Sequence, residues 1–300
     1  MADSENRPWL RKVLVTLGPL AEWQNKSAGS TVQFASDGTM NGLRVSANIQ
    51  KTLMGLPSPS TIKVYNLSDD TRNAVKKGLT KLTLQAGWEN TNMATIYKGS
   101  IMNVQSERAG ADIITSFLVL PGFGALAMGA SSVTFGPGTS ISAAAGQLGK
   151  DLPGITVNPE SFQGVEGNIG GKGWSYAGST KDGLNRLAEY GFSWSVQEGT
   201  LKCMGDKFML GSSVELNGDN GGLINISPIL SGPLQWTTGV KIKALYVPGI
   251  TVGSSVKVSS KLNKSLSGTY RVHTIGIDLD TYSSNWTMDI ESYKLGVKVK

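Results

Sequence analysis

One imidazole and one thiol, His273 and Cys203, are all that the 300 residues offer to nucleophilic or soft-metal chemistry. A Ser-His-Asp or Cys-His arrangement would have to be built around His273. That residue sits in a strand pattern, alternating with Tyr270, Val272 and Thr274, which reads as a partly exposed strand position. Cys203, next to Leu201 in an expected hairpin, reads as a small half-buried or buried residue. A single His and a single Cys do not supply the nitrogen and sulfur ligands of a usual zinc site. Glu160, Glu166, Asp182 and Glu189 fall in one stretch and could pair for sugar cleavage, which needs two carboxylates flanking the scissile bond. Scattered surface charges account for them equally simply. Asp69 and Asp70 instead complement the positive end of an expected helix.

The glycine-rich segments fail the tests for phosphate and calcium. Gly167 to Gly173 contains a Gly-Lys step at Lys172, but Glu166 stands where the first glycine of a phosphate loop belongs, and Gly173 where Ser or Thr would bind magnesium. Asn217 to Gly222 looks faintly like a calcium loop, yet its twelfth position is Pro228 rather than Glu. No catalytic, cofactor-binding or metal residue is therefore assigned, no cofactor is expected, and the chain reads as a non-enzyme.

Composition points the same way. Charged residues make up 17%, against roughly 25% in ordinary globular domains. The 38 glycines, with many Ser and Thr, suit a β-rich chain of tight turns. The net charge is +6, but apart from Lys76, Lys77 and Lys81 no basic cluster stands out, so sequence-specific nucleic-acid binding is not expected. Residues 113–149 carry no charge, yet Pro121, Gly122, Gly124 and Gly129 interrupt any spanning helix. We expect there a buried strand followed by an apolar loop, serving as a core or a subunit contact, and no membrane anchoring. The polar, acidic start at Met1–Glu5 does not resemble a secretory signal, and the single cysteine fits cytosolic synthesis.

The elements that would position these residues are mostly strands. Leu43, Val45, Ala47 and Ile49 alternate with Arg44, Ser46, Asn48 and Gln50, the period-two signature of a half-buried strand. Leu82, Leu84, Ala86 and Trp88 do the same, as do Trp286, Met288 and Ile290. Hairpins are expected at 94–106/112–120, 192–196/200–203 and 269–279/285–292. Three helices are expected: 69–77 with Ser68 as cap and Gly78 as stop, 141–148 stopped by Gly149, and 180–190 with Ser179 and Asp182 at capping-box spacing. The resulting division is a first β domain at 1–124, an α+β insert at 125–205, a connector or small β region at 206–239, and a second β domain at 240–300.

Three groups of residues carry a family resemblance. Thr61-Ile-Lys-Val-Tyr-Asn-Leu-Ser68, a short helix, Leu82-Thr-Leu-Gln-Ala-Gly-Trp88 and Ile96-Tyr-Lys-Gly-Ser-Ile101 form the first group. Residues 140–203, with Leu184, Leu187, Ala188 and Gly191 spaced along a helix, form the second. Gly222-Leu-Ile224, Leu245-Tyr-Val-Pro-Gly249, Gly268-Thr-Tyr-Arg-Val272 and Trp286 form the third. In order and spacing they resemble the bacteriophage baseplate hub proteins, the group that includes late control protein D, over roughly residues 12–295.

The resemblance implies a mainly β fold in which two tail-tube-like β-barrel domains flank a small mixed domain. It implies a homotrimeric ring in the virion that adapts a sixfold tail tube to a threefold spike and encloses the DNA channel. The implied partners are other copies of the chain, the tail tube or its initiator, the spike, the tape measure and the baseplate wedge proteins. Alternatives are a tail-tube initiator or other baseplate ring protein, a host-surface binding module, and a cell-wall glycosidase using the acids of the insert.

Overall fold

A computed structural model describes residues 11–18, 32–36, 42–55, 57–76, 80–88, 93–219, 221–231 and 236–294. The first half of the chain holds β1 (Arg11–Gly18), β2 (Val32–Ser36), β3 (Val45–Thr52), β4 (Ser60–Tyr65), α1 (Asp69–Lys76), β5 (Lys81–Trp88), β6 (Ala94–Ala109), β7 (Asp112–Leu120), α2 (Phe123–Met128), β8 (Ala130–Phe135) and α3 (Ile141–Lys150). There follow β9 (Phe162–Gln163), β10 (Trp174–Ser179), α4 (Thr180–Ala188), β11 (Phe192–Gln197), β12 (Thr200–Gly205), β13 (Leu210–Asn217), β14 (Leu223–Ser231), β15 (Trp236–Leu245), β16 (Ser254–Ser259), β17 (Gly268–Asp280) and β18 (Trp286–Tyr293). The protein is mainly β, as expected, with a large and predominantly antiparallel sheet. It forms two compact units, one drawn from 1–50, 59–121 and 277–287, the other from 51–58, 122–276 and 288–300.

In the first unit the strands run β17-β3-β4-β7-β6-β5-β1-β2. Alternation sets the core: Val13, Val15, Leu17, Val45, Ala47, Ile49, Ile62, Val64, Leu82, Leu84, Phe117 and Val119 are all buried, and most of their neighbours in sequence are half-buried or exposed, Lys81 being a buried exception. The expected closed barrel is not found among the described residues, whose strand pairing does not close into a ring.

Side chains hold the far ends of this sheet to the β17–β18 turn. Arg44 donates in bidentate fashion to Asp280, from Nε to Oδ1 at 3.2 Å and from Nη2 to Oδ2 at 2.7 Å. Arg11, on β1, donates to the carbonyls of Asp280 (3.1 Å), Ser283 and Ser284 (3.4 Å) and lies 5.4 Å over the ring of Trp286. Trp88, at the end of β5, meets Trp286 at 5.7 Å. Val45 and Thr281 exchange two hydrogen bonds of 3.0 Å, which tie the turn to β3.

The second unit contains the insert and a sheet of order β14-β15-β18-β17-β16, with β13 parallel to β16. Among the described residues this sheet does not close by strand pairing either. A short 3-10 turn at Lys264–Leu266 packs against both β14 and β16, and Asn263 Nδ2 donates to the carbonyl of Ile226 at 3.4 Å. In the insert, β8 pairs with β10, and β11 and β12 form a hairpin whose turn, Glu198-Gly199, has φ of 48° and 78°. Positive φ at both central positions is what a two-residue hairpin turn demands, and Gly at the second makes it cheap. Leu148, Leu184, Leu187 and Leu201 are fully buried at the centre of the insert.

Some local expectations need correction. The helix expected to stop at Gly149 runs to Lys150, and Gly149 is one of its buried residues. A Cβ there would stand 2.6 Å from Leu201 and 2.9 Å from Val157, so this glycine permits close packing instead of ending the helix. Ser140 caps α3, accepting from the Ala143 N–H at 3.3 Å. Ser179 makes no side-chain cap bond to α4. The apolar loop expected after β7 contains α2 and β8, and β13 and β14 occupy the glycine-rich connector. The expected end of α1 at Lys77 and Gly78 lies outside the described residues.

Two predictions follow from the packing. Leu187→Asp places an unpaired carboxylate at a fully buried helix position and should cost about 4 kcal/mol or more; an unchanged thermal melt would show that α4 does not anchor the insert. Burial works to raise the pKa of Asp280, but the Arg44 hydrogen bonds, the N–H groups of Tyr282 and Ser283 and the Arg44 charge outweigh it and hold the carboxyl below its ordinary value. A depressed folded pKa gives stability that is complete above the unfolded value and lost as pH falls through the folded one. Asp280→Asn should therefore lower the melting temperature at pH 7, and the deficit should shrink as pH falls below about 4.

Candidate functional site

The structure disperses the residues with catalytic potential. Cys203 is buried on β12, and desolvation pushes its thiol pKa up, which makes it a poor nucleophile. His273 is half-buried on β17, 3.2 Å from Thr274 Oγ1 and edge-on to Tyr293 at 5.7 Å. Desolvation, then the Arg271 charge, lower its pKa, and Glu291 opposes them. Glu160 opens a 3-10 turn, Glu166 lies in a loop, Asp182 is in the first turn of α4 and Glu189 is its C-terminal cap; all four are exposed. Among the described residues no group of three or more His, Cys, Asp or Glu could hold a metal ion. Lys81, part of the basic cluster, is buried and bonds Ser100, which removes it from any phosphate-facing surface.

Of the four acids, Glu189 lines a well-formed cavity. With Trp174, Arg186 and Tyr190 it borders an open pocket of about 570 Å³. Arg186, Glu189 and Tyr190 share a helical face at i, i+3 and i+4 spacing, and β10 brings Trp174 beneath them. Trp174 belongs to a group of stacked aromatic rings. Phe135, its cross-strand partner on β8, stacks with it at 5.8 Å and 18°, and Tyr176, two residues on, at 5.7 Å and 21°. Arg186 lies 5.4 Å over Tyr176, whose hydroxyl donates to the Ser179 carbonyl at 2.8 Å. Sequence reading missed this group because only strand register brings Phe135 and Trp174 together.

The other features with functional potential are edges and apolar surface. In the first unit β5 pairs with β6 only over Ala94–Ser100, and the Ile101 N–H donates to the Thr80 carbonyl at 2.8 Å. Beyond that point β6 continues to Ala109, paired among the described residues to β7 alone, and its residues are largely exposed. Met102 and Leu118 are 40% and 37% exposed there. In the second unit Phe123 and Met128 on α2, and Ile224 and Leu230 on β14, present apolar side chains to solvent. Unpaired strand edges beside exposed apolar residues are aggregation-prone in isolation and are normally covered by a partner.

Comparison with known proteins gives this architecture a context. Residues 212–292, the β13–β18 sheet, match the family model described as baseplate hub gp41. By fold the chain is similar to a tail protein from Neisseria meningitidis MC58, with TM-score 0.64 and 9% identity over 96% of this chain and 97% of that one. It is also similar to the 43 kDa tail protein of prophage MuSo2 from Shewanella oneidensis, with TM-score 0.61 and 11% identity over 94% and 97%. A third similar structure is the E. coli c3393 protein, a type VI secretion component described as similar to T4 tail proteins gp27 and gp5, with TM-score 0.55 and 10% identity over 84% and 73%. No curated protein matches the chain. The fold is thus that of phage tail and tail-related secretion proteins. The match of that sheet to a baseplate hub model and the tail-protein fold agree with the resemblance, carried by the sequence motifs, to structural proteins of the baseplate hub.

His273 should prove peripheral to that role. Its depressed pKa means that the unfolded chain binds a proton that the folded chain resists, so stability declines as pH falls from about 6.5 toward the folded value. His273→Ala should leave the oligomeric mass unchanged and flatten the pH dependence of melting between about pH 7 and 5. Loss of the native oligomer in sedimentation would show that this strand face takes part in assembly.

Proposed function

We infer that the chain is a structural subunit of a phage baseplate hub, a homotrimeric ring that joins a sixfold tail tube to a threefold spike and encloses the DNA channel. The observation that carries this reading is the hub-family match over the β13–β18 sheet, within a chain whose fold is shared with tail proteins along almost its whole length. Residues 1–124 and 240–300 would be the two tube-like domains, 125–205 the insert and 206–239 the connector. Two curved sheets per chain, three chains to a ring, give six tube-like elements, the number that a sixfold tube requires.

Several features support the assignment. Each unit carries a curved sheet whose ends are bridged by side chains or a short turn, a near-barrel that neighbours can complete. The bare β6 edge and the exposed apolar residues of α2 and β14 are surfaces that copies of the chain, the tube or its initiator, the spike, the tape measure and the wedge proteins would cover. The role needs no catalysis and no cofactor, and it places the protein in the virion after synthesis in the host cytoplasm.

Light scattering on the purified chain should give about 95 kDa, three copies of 31.7 kDa, at concentrations where the edges are occupied. A hexamer would replace the hub reading by a tube-type ring. Peptide mass spectrometry of purified virions should find the chain, and its absence from intact particles would overturn the assignment.

A further inference from the structure

The cavity at the C-terminal end of α4 has the chemistry of a small-ligand site. Its volume, about 570 Å³, lies within the usual few hundred to one thousand Å³. Its lining combines two aromatic rings, one guanidinium and one carboxylate, those of Trp174, Tyr190, Arg186 and Glu189. Among the described residues Arg186 and Glu189 form no ion pair with each other, and the Arg186 guanidinium lies 5.4 Å over the Tyr176 ring. A guanidinium carries several N–H donors and a carboxylate two acceptor oxygens, and both groups line the cavity.

We propose that this pocket binds a neutral carbohydrate, one pyranose unit of a glycan, without cleaving it. The sign of the charges makes the choice. An anionic ligand would gain from Arg186 and lose to Glu189, and a cationic ligand the reverse. A neutral polyhydroxylated ring uses both, since its hydroxyls donate to the carboxylate and accept from the guanidinium, as charge-assisted hydrogen bonds.

Aromatic rings supply the apolar contact that the C–H face of a sugar needs. Trp174 is stacked with both Phe135 and Tyr176, which holds its ring in place beside the pocket. Tyr190, 44% exposed, is the ring with a face to offer. The stacked group Phe135-Trp174-Tyr176-Arg186 fixes one wall before any ligand arrives, which reduces the ordering cost of binding. Hydrolysis would need a second carboxylate across the bond. Among the described residues Glu189 is the one acid in the lining, which does not include Glu160, Glu166 or Asp182. The inference stands apart from the hub reading, because it concerns four side chains of the insert and not the ring.

The test uses the full chain on an array of neutral oligosaccharides (chitotriose, maltotriose, lactose) and charged ones (sialyllactose, heparin fragments), followed by calorimetric titration of chitotriose and maltotriose. The expected result is binding to at least one neutral glycan, weakened about tenfold or more by Tyr190→Ala and by Glu189→Gln, with melting temperatures unchanged. Both side chains are exposed, so neither variant threatens folding. A blank array, binding confined to the charged glycans, neutral-glycan binding that survives both variants, or release of reducing ends from a bound glycan would each overturn the proposal. The trimer mass and the virion content are independent readouts, so failure here leaves the hub assignment where it was.

Discussion

A curved sheet whose pairing does not close has two ends to reconcile, and in the first unit Asp280 is the group through which they are reconciled. Its side chain is nearly buried and accepts both arms of the Arg44 fork, while its own carbonyl accepts from Arg11. Arg11 is itself desolvated, which lowers its pKa against the pull of Asp280. Two guanidiniums brought to one turn would repel without the carboxylate, so removing Asp280 leaves partly buried charge uncompensated as well as deleting bonds. The aromatic rings around it, Trp286 beneath Arg11 and Tyr65 beneath Arg44 at 4.4 Å, add cation–π contact on the same turn. The second unit solves the equivalent problem without charge, by a 3-10 turn and the amide of Asn263. Its bridge should accordingly be indifferent to pH where that of the first unit is not.

How much of this was legible depends on how local the cause is. Period-two alternation reports which face of a strand is buried, and β3, β5 and β18 fall where Val45, Leu82 and Trp286 begin their apolar rows. Hairpin turns are local too, and Glu198-Gly199 stands in the structure as the residues suggest. Gly149 shows the limit. A glycine near a helix end signals a stop, but the reason for this one is the approach of Leu201 from a strand some fifty residues on, which no local pattern contains. The 113–149 run misled differently. Absence of charge indicates burial or contact without distinguishing strand, helix or loop, and that run turned out to contain all three.

The candidate site was legible only in its helical half. Arg186, Glu189 and Tyr190 are readable as one face because helical spacing is fixed, whereas Trp174 joins them through the fold of β10 against α4. Grouping Glu189 with the other acids was reasonable by position in the chain, yet proximity in sequence put the four on separate turns and loops. What surrounds Glu189 is aromatic and cationic, a binding lining and not a pair of acids.

The two functional readings also tolerate sequence change differently. A hub subunit acts through curvature, edge geometry and the pattern of buried strand faces, all of which many sequences satisfy. Structures similar over almost the entire chain at 9% and 11% identity show how freely this fold accepts substitution. A pocket made of four particular side chains has no such latitude, since replacing the ring of Tyr190 or the carboxylate of Glu189 removes a contact that the backbone cannot restore. Shape is therefore what this chain holds in common with tail proteins, and the lining at the end of α4, four particular side chains of the insert, is where it has room to differ from them.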